Sequence, residues 1–200
     1  MELFTAIENR RAVKHFDSSR KIPEADFQKI MSAALLSPTS YNIQHWRFLR
    51  VTDQQLREQI KEAAWDQAQV TDASDLLILC ADTQAWQDRP ERYWADAPKE
   101  AQDMLVPMLQ DFYRGRAQIQ RDEAFRSCGM AAQTIMLASK ALGYDSCPMI
   151  GFDGDAVAKL INLPEDHVIG MLLPLGAAAK EANGRGGQLP LEQVLLENSF

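Results

Sequence analysis

A chain of 200 residues, 46% hydrophobic and 24% charged, has the size and composition of one ordinary globular domain that can bury a core without disulfides or metal. Its 21 basic and 28 acidic residues give a net charge of −7, which argues against general nucleic-acid binding, since that needs a basic face to displace counterions. The longest apolar runs fall short of a membrane span and the start, MELFTAIENRR, lacks the features of a signal peptide, so a cytoplasmic protein is expected.

In chain order, residues 2–9 read as a short helix with Leu3, Phe4 and Ile7 on one side. Pro23 marks the next helix start, with Glu24 and Asp26 placed for the positive end of its dipole and Phe27, Ile30, Met31, Ala34 and Leu35 at helical spacing. It must stop before Pro38, because a residue preceding proline avoids the α conformation. The stretch SPTSYNIQHWRF then leads into a strand around 48–52. A second amphipathic helix is expected over 54–69, and LLILCA at 76–81 reads as a strand buried on both faces. Residues 84–120 hold aromatics, many charges and Pro90, Pro98 and Pro107, which suits a helical excursion serving as a lid or a partner contact. The strongest helix is 122–142, apolar on more than one face and followed by Gly143 as a C-terminal cap. Strands near 146–150 and 168–174, a helix around 156–162, and a leucine-rich arm over 176–200 complete the chain. No linker or repeat divides it, so one domain over 1–200 is expected, in the α+β class with a mostly antiparallel sheet.

Side-chain chemistry is sparse. His15, His45 and His167 are scattered without metal-ligand spacing, so no metal is expected, and Cys80, Cys128 and Cys147 read as buried free thiols of a reducing compartment. Neither a GxSxG motif nor a dinucleotide-binding glycine pattern is present. Four segments remain. In NRRAVKHFD, Arg10, Arg11 and Lys14 either complement a helix C-terminus or, with Arg10 and Lys14 on one side of an extended chain, converge on an anion. Pro38, Thr39, Ser40 and Asn42 offer either turn chemistry or a hydrogen-bonding surface for something planar. In WDQAQ, Gln67 and Gln69 share a face only if the chain is extended there. CPMIGF allows backbone to approach a flat ligand at Gly151, and Arg185 within NGRGG is either a phosphate partner or part of a solvated loop.

Taken in order, RRAVKHFD, SPTSYNIQHWRF, AAWDQAQVTDAS, CPMIGF and the basic C-terminal segment resemble the FMN-dependent nitroreductase family, in particular the short bacterial NAD(P)H nitroreductases. The resemblance spans nearly the whole chain. It implies the nitroreductase-like fold, an intertwined homodimer with FMN at the subunit interface, and a C-terminal arm wrapped over the partner. It further implies that Arg10, Arg11, Ala12 and Lys14 hold the phosphate and ribityl chain, with Arg185 completing the phosphate site. Pro38, Thr39, Ser40 and Asn42 would reach the partner's FMN, Gln67 and Gln69 would bond the flavin's polar edge, and Met149, Ile150 and Gly151 would lie against the ring. The implied activity is ping-pong reduction of nitroaromatic or quinone-like acceptors by NAD(P)H. The alternatives are a flavoenzyme with a dedicated acceptor (dehalogenation or flavin breakdown) and a flavin-binding protein without turnover. Ala12, Asp66 and Gln188 depart from residues common in relatives, namely serine, asparagine and a basic residue.

Overall fold

The computed structural model describes residues 1–200. Its centre is a four-stranded sheet of β1 (Trp46–Val51), β2 (Asp75–Asp82), β3 (Asp145–Ser146) and β4 (His167–Gly176), ordered β1-β2-β4-β3 and antiparallel throughout. β2 is buried along its whole length, as its unbroken apolar run predicts, and its alternating side chains divide the interior in two. Leu76, Ile78 and Cys80 face one core with Ile60, Ala64, Val70 and Val157. Leu77, Leu79 and Ala81 face the other, with Phe27, Ile30, Cys128, Ala132 and Ile135. The first core is roofed by α3 (Gln54–Ala63), α4 (Gln69–Asp72) and α7 (Gly154–Leu160), the second by α2 (Glu24–Ala34) and α6 (Ala117–Ala141). Fully burying one such Leu or Ile stabilises the fold by roughly 1.5–3 kcal/mol, so the two faces of β2 carry much of it.

Local chemistry sets the element ends. Asp53 and Asp153 cap α3 and α7, their carboxylates accepting the N–H of Leu56 at 2.6 Å and of Ala156 at 3.0 Å. Gly143 takes the expected left-handed conformation past α6, with φ +87°. β4 carries a bulge where the pairing with β2 slips between Leu79 and Cys80, leaving Gly170 as the extra residue. A Cβ there would lie 2.9 Å from that of Cys128, so the bulge lets α6 approach the sheet closely. Arg57 is 5% exposed and donates to Val51 O, Ala73 O and Ser74 O at 2.9, 2.8 and 3.1 Å, satisfying three carbonyls at strand and turn ends.

Several boundaries differ from the expectation. The helix predicted over 54–69 ends at Ala63, because Trp65 and Asp66 both adopt positive φ. The strand predicted over 146–150 shrinks to Asp145–Ser146 plus one bridge, Met149 to Leu172. The long helix begins at Ala117, inside what was expected to be the excursion. That excursion contains a short 3-10 turn (Pro90–Trp94) and α5 (Lys99–Tyr113), built around a small core of Ile43, Ala85, Trp86, Tyr93, Leu109 and Tyr113. Pro107 lies inside α5 instead of breaking it; it is on the exposed face, where water can satisfy the carbonyl one turn back. No helix is long and apolar enough to cross a membrane.

Candidate functional site

After α1 (Leu3–Asn9) the chain becomes extended and is stitched between β3 and the exit of β4. Val13 N–H donates to Ser146 O at 3.0 Å, Asp17 N–H to Ala177 O at 2.9 Å, and Ala179 N–H to His15 O at 2.8 Å. Val13 and Phe16 are thereby buried, Ala12 bridges to Ser146, and Ala12 and Lys14 are left exposed. Arg10 meets Arg185 and Arg11 at the end of α1: burial, then the charge of Arg185, then that of Arg11, hold the Arg10 guanidinium below its ordinary pKa. Arg185 is anchored there by donating to Ile7 O at 3.0 Å. Arg11 is turned back on its own helix, donating to Glu8 O and to Arg10 O, so the helix-terminus reading holds for its hydrogen bonds while its charge stays beside Arg10.

Further along the same strip, Lys14 and Gln69 both act on Cys147, whose thiol is nevertheless pushed up by burial. Gln69 Nε2 donates to Gln67 Oε1 at 3.1 Å, and Gln67 Nε2 donates to Gly151 O at 2.8 Å and Ala64 O at 3.0 Å. The two glutamines meet although the chain is not extended there: α3 has ended, Gln67 lies in the connecting segment and buried Gln69 opens α4. They also form a strut that pins the 149–151 segment, a role their spacing did not announce. Met149 is buried, Gly151 half-buried, and Ile150 is 81% exposed. The result is one continuous strip. It is cationic at Arg10, Arg11 and Arg185, polar through Lys14, the buried Gln69 and Gln67, and apolar at exposed Ile150 beside Gly151.

Pro38, Thr39, Ser40 and Asn42 lie apart from that strip, and no hydrogen bond or ion pair joins the two. Thr39 Oγ1 accepts Gln44 N–H at 3.0 Å, Ser40 N–H points to Glu123 Oε1 at 3.4 Å, and Asn42 Nδ2 donates to Tyr93 O at 2.7 Å. These bonds hold Tyr41, Asn42 and Gln44 at φ +50°, +54° and +52°, a strained turn seated on α6 and the excursion. Below it His45 is 1% exposed, with Nδ1 3.1 Å from Ser127 Oγ and Nε2 without a partner; burial lowers its pKa to about 4. Trp46 is buried and stacks on half-buried Phe48 at 6.0 Å, as expected for the anchors of this stretch. Two residues given no role from the sequence are Glu123, buried on α6 beside this turn and paired with Arg126 at 2.6 Å, and Trp65, which lies against Gly151 on the strip. Nothing local marked Trp65, because the helix expected over 54–69 would have carried it as an ordinary helical residue.

The histidines and cysteines assemble no nucleophilic centre: the Cys80 and Cys128 thiols are pushed up to about 11 and about 12 by burial. Asp82, Asp166 and His167 bring ligand atoms within 4.8 Å, yet Asp82 is neutralised by Arg47 at 3.0 Å and His167 Nδ1 sits 2.6 Å from Asp166. Fold and site together suit a flat cofactor with an anionic tail. The donors fit FMN. Like-charged guanidiniums crowd where a phosphate would neutralise them, and Gly151, lacking a side chain, lets an aromatic ring come close to the backbone, as the Trp65 indole does with Cζ3 3.2 Å from where a Cβ would stand.

Comparison with known proteins agrees. Residues 7–177 match the model of the Nitroreductase family, and the chain belongs to that family. It is 48% identical to Protein DrgA of Synechocystis over 98% of this chain and 95% of that one. It is 30% identical to an NADH dehydrogenase of Thermus thermophilus over 96% of this chain and 94% of that one. A structure from Exiguobacterium sibiricum in complex with FMN superposes with a TM-score of 0.90 at 27% identity, covering 98% and 96% of the two chains.

Proposed function

We propose that this NAD(P)H-dependent FMN oxidoreductase works by a ping-pong cycle that reduces nitroaromatic or quinone-like acceptors at a site shared between two copies of the chain. The redox chemistry is that of FMN, which exchanges a hydride with NAD(P)H and two electrons with an acceptor, the two substrates taking turns at one open face. The chain's own residues bind and orient. Arg10, Arg185 and Arg11 neutralise the phosphate, and Lys14 supplies a positive charge along the tail. Gln67 steadies the backbone of Gly151 with both of its N–H groups spent on Ala64 O and Gly151 O, and the amide N–H that Gln69 has left would serve the polar edge of the ring. Lys14 lies on the same side and would stabilise negative charge gathered on the reduced ring.

The observation that carries this reading is the polarity gradient of the strip, from three guanidiniums to an exposed isoleucine beside a glycine. The separate, strained turn at Thr39–Asn42 supports the shared site, since within one chain it has no hydrogen-bonded link to that strip. Leu3, Phe4, Leu35 and Leu36 and the leucines of the 176–200 arm stay exposed, which a second copy of the chain would bury. We read residues 84–120 as a lid on the acceptor side and the whole chain as one domain. The buried free thiols favour a reducing, cytoplasmic setting. Purified protein should be yellow and dimeric in sedimentation, and anaerobic NADH or NADPH should bleach it until a quinone restores the colour. Colourless protein that takes up no added FMN sinks the proposal, while a flavin that stays oxidised under both nicotinamides would favour binding without turnover.

A further inference from the structure

The end of α3 breaks a rule. Asp66 N–H reaches back to Lys61 O at 3.0 Å, the long bond of a Schellman turn, just past the helix cap at Ala64. In such a turn the residue after the cap is left-handed and is glycine by preference, because a Cβ crowds the neighbouring carbonyl. Here that residue is Trp65 at φ +55°, followed by Asp66 at φ +57°. The largest side chain stands where the smallest is favoured.

Core packing does not account for it. Trp65 is 67% exposed, whereas Trp46 and Trp86 are buried. What the indole does touch is Gly151: its Cζ3 is 3.2 Å from the position a Gly151 Cβ would take, and Gln67 Nε2 is 3.7 Å from the same point. Trp65 and exposed Ile150 therefore flank the stretch of the strip where the backbone carries no side chain, the indole covering the side that a Gly151 Cβ would take. Backbone strain held at an exposed aromatic beside such a stretch is the pattern of a residue retained for binding.

From this we infer that Trp65 determines acceptor specificity: its indole is an aromatic wall beside Gly151 that favours flat ring oxidants over oxidants with no ring to stack. The inference rests on the reading above that the 149–151 segment flanks the FMN ring. The reaction selected is NAD(P)H plus H⁺ plus quinone giving NAD(P)⁺ plus hydroquinone. The indole contacts the quinone ring and takes no part in the transfer of hydride or proton.

The test uses the full FMN-loaded protein with Trp65→Asn, asparagine being tolerant of left-handed backbone, and with Trp65→Phe. A benzoquinone and ferricyanide, which accepts single electrons and offers no ring, are compared as acceptors. Trp65→Asn should lower the quinone-to-ferricyanide ratio of kcat/KM roughly tenfold, mainly through the quinone KM, with FMN content retained. Trp65→Phe should hold that ratio within about twofold of the parent, since it keeps a ring. A ratio unchanged in Trp65→Asn overturns the inference. So does a Trp65→Asn chain that melts early, or fails to fold, while Trp65→Phe shifts the ratio as strongly, since the indole would then be structural. Absence of FMN from the parent protein would defeat the functional reading itself. A yellow, active parent with an unmoved ratio defeats only the role of Trp65.

Discussion

Replacing Arg10 with alanine should act in opposite senses on the empty and the FMN-bound protein. The Arg10 side chain makes no hydrogen bond within the chain, and burial together with Arg185 and Arg11 already disfavours its charge. Removing it relieves repulsion and breaks no hydrogen bond or ion pair, so the empty protein should change by no more than about 0.5 kcal/mol, toward greater stability. With FMN present the same arginine supplies charge-assisted bonds to phosphate worth about 1.5–3 kcal/mol, so Kd should rise roughly 10- to 150-fold. Ligand stabilisation follows RT ln(1 + [L]/Kd), and FMN at about 1,000 times the parent Kd adds about 4 kcal/mol. A 100-fold weaker variant at the same FMN gains only about 1.4 kcal/mol, which for a chain of this size lowers the holo Tm by roughly 5–10 °C. Quenching of FMN fluorescence gives Kd, and calorimetry with and without FMN gives both stabilities. The loss in affinity should shrink in high salt as the phosphate contact is screened. An unchanged Kd, or an empty protein that loses several degrees, would refute the assignment of Arg10 to phosphate.

Two other changes test the frame around the site. Burial keeps the His45 pKa at about 4 in the fold against an ordinary 6.5, so the unfolded chain takes up a proton that the folded one refuses. Stability is then full above about pH 6.5 and falls by roughly 3 kcal/mol as pH drops toward 4. His45→Gln should remove that part of the slope in urea unfolding at about pH 7 and about pH 4.5, and an identical slope in both proteins would move the titration elsewhere. Arg57→Lys keeps the charge but cannot span three carbonyls, so a loss of about 2–4 kcal/mol is expected in urea; a loss under about 0.5 kcal/mol would show that the carbonyls find other partners.

Much of the frame was legible along the chain. The α+β class, the buried strand LLILCA and the helices behind Pro23 and before Gly143 follow from periodicity and turn chemistry, which act over a few residues, whereas the four candidate binding segments drew together only through the family resemblance. Less legible was the exit of α3. The helical pattern was expected to run to residue 69, whereas the chain leaves the helix at Ala64, where Asp153 N–H of a distant segment donates to Ala63 O at 2.8 Å. The strut from Gln69 through Gln67 to Gly151 spans more than eighty positions of sequence, and no local rule pairs residues that far apart.

The sequence by itself determined which elements form and which residues are chemically fit for an anion and a flat ring, because hydrophobic period, proline position and donor type are local properties. Only the tertiary structure decided which of them meet. Arg185 comes to Arg10 because the β4 exit and the extended 10–17 segment are bonded side by side. The Thr39–Asn42 turn is carried away from them because Ile43 is buried in the excursion's own core. Trp65 is set against Gly151 by a left-handed turn that its own side chain disfavours, and tertiary contacts are what can hold such a turn.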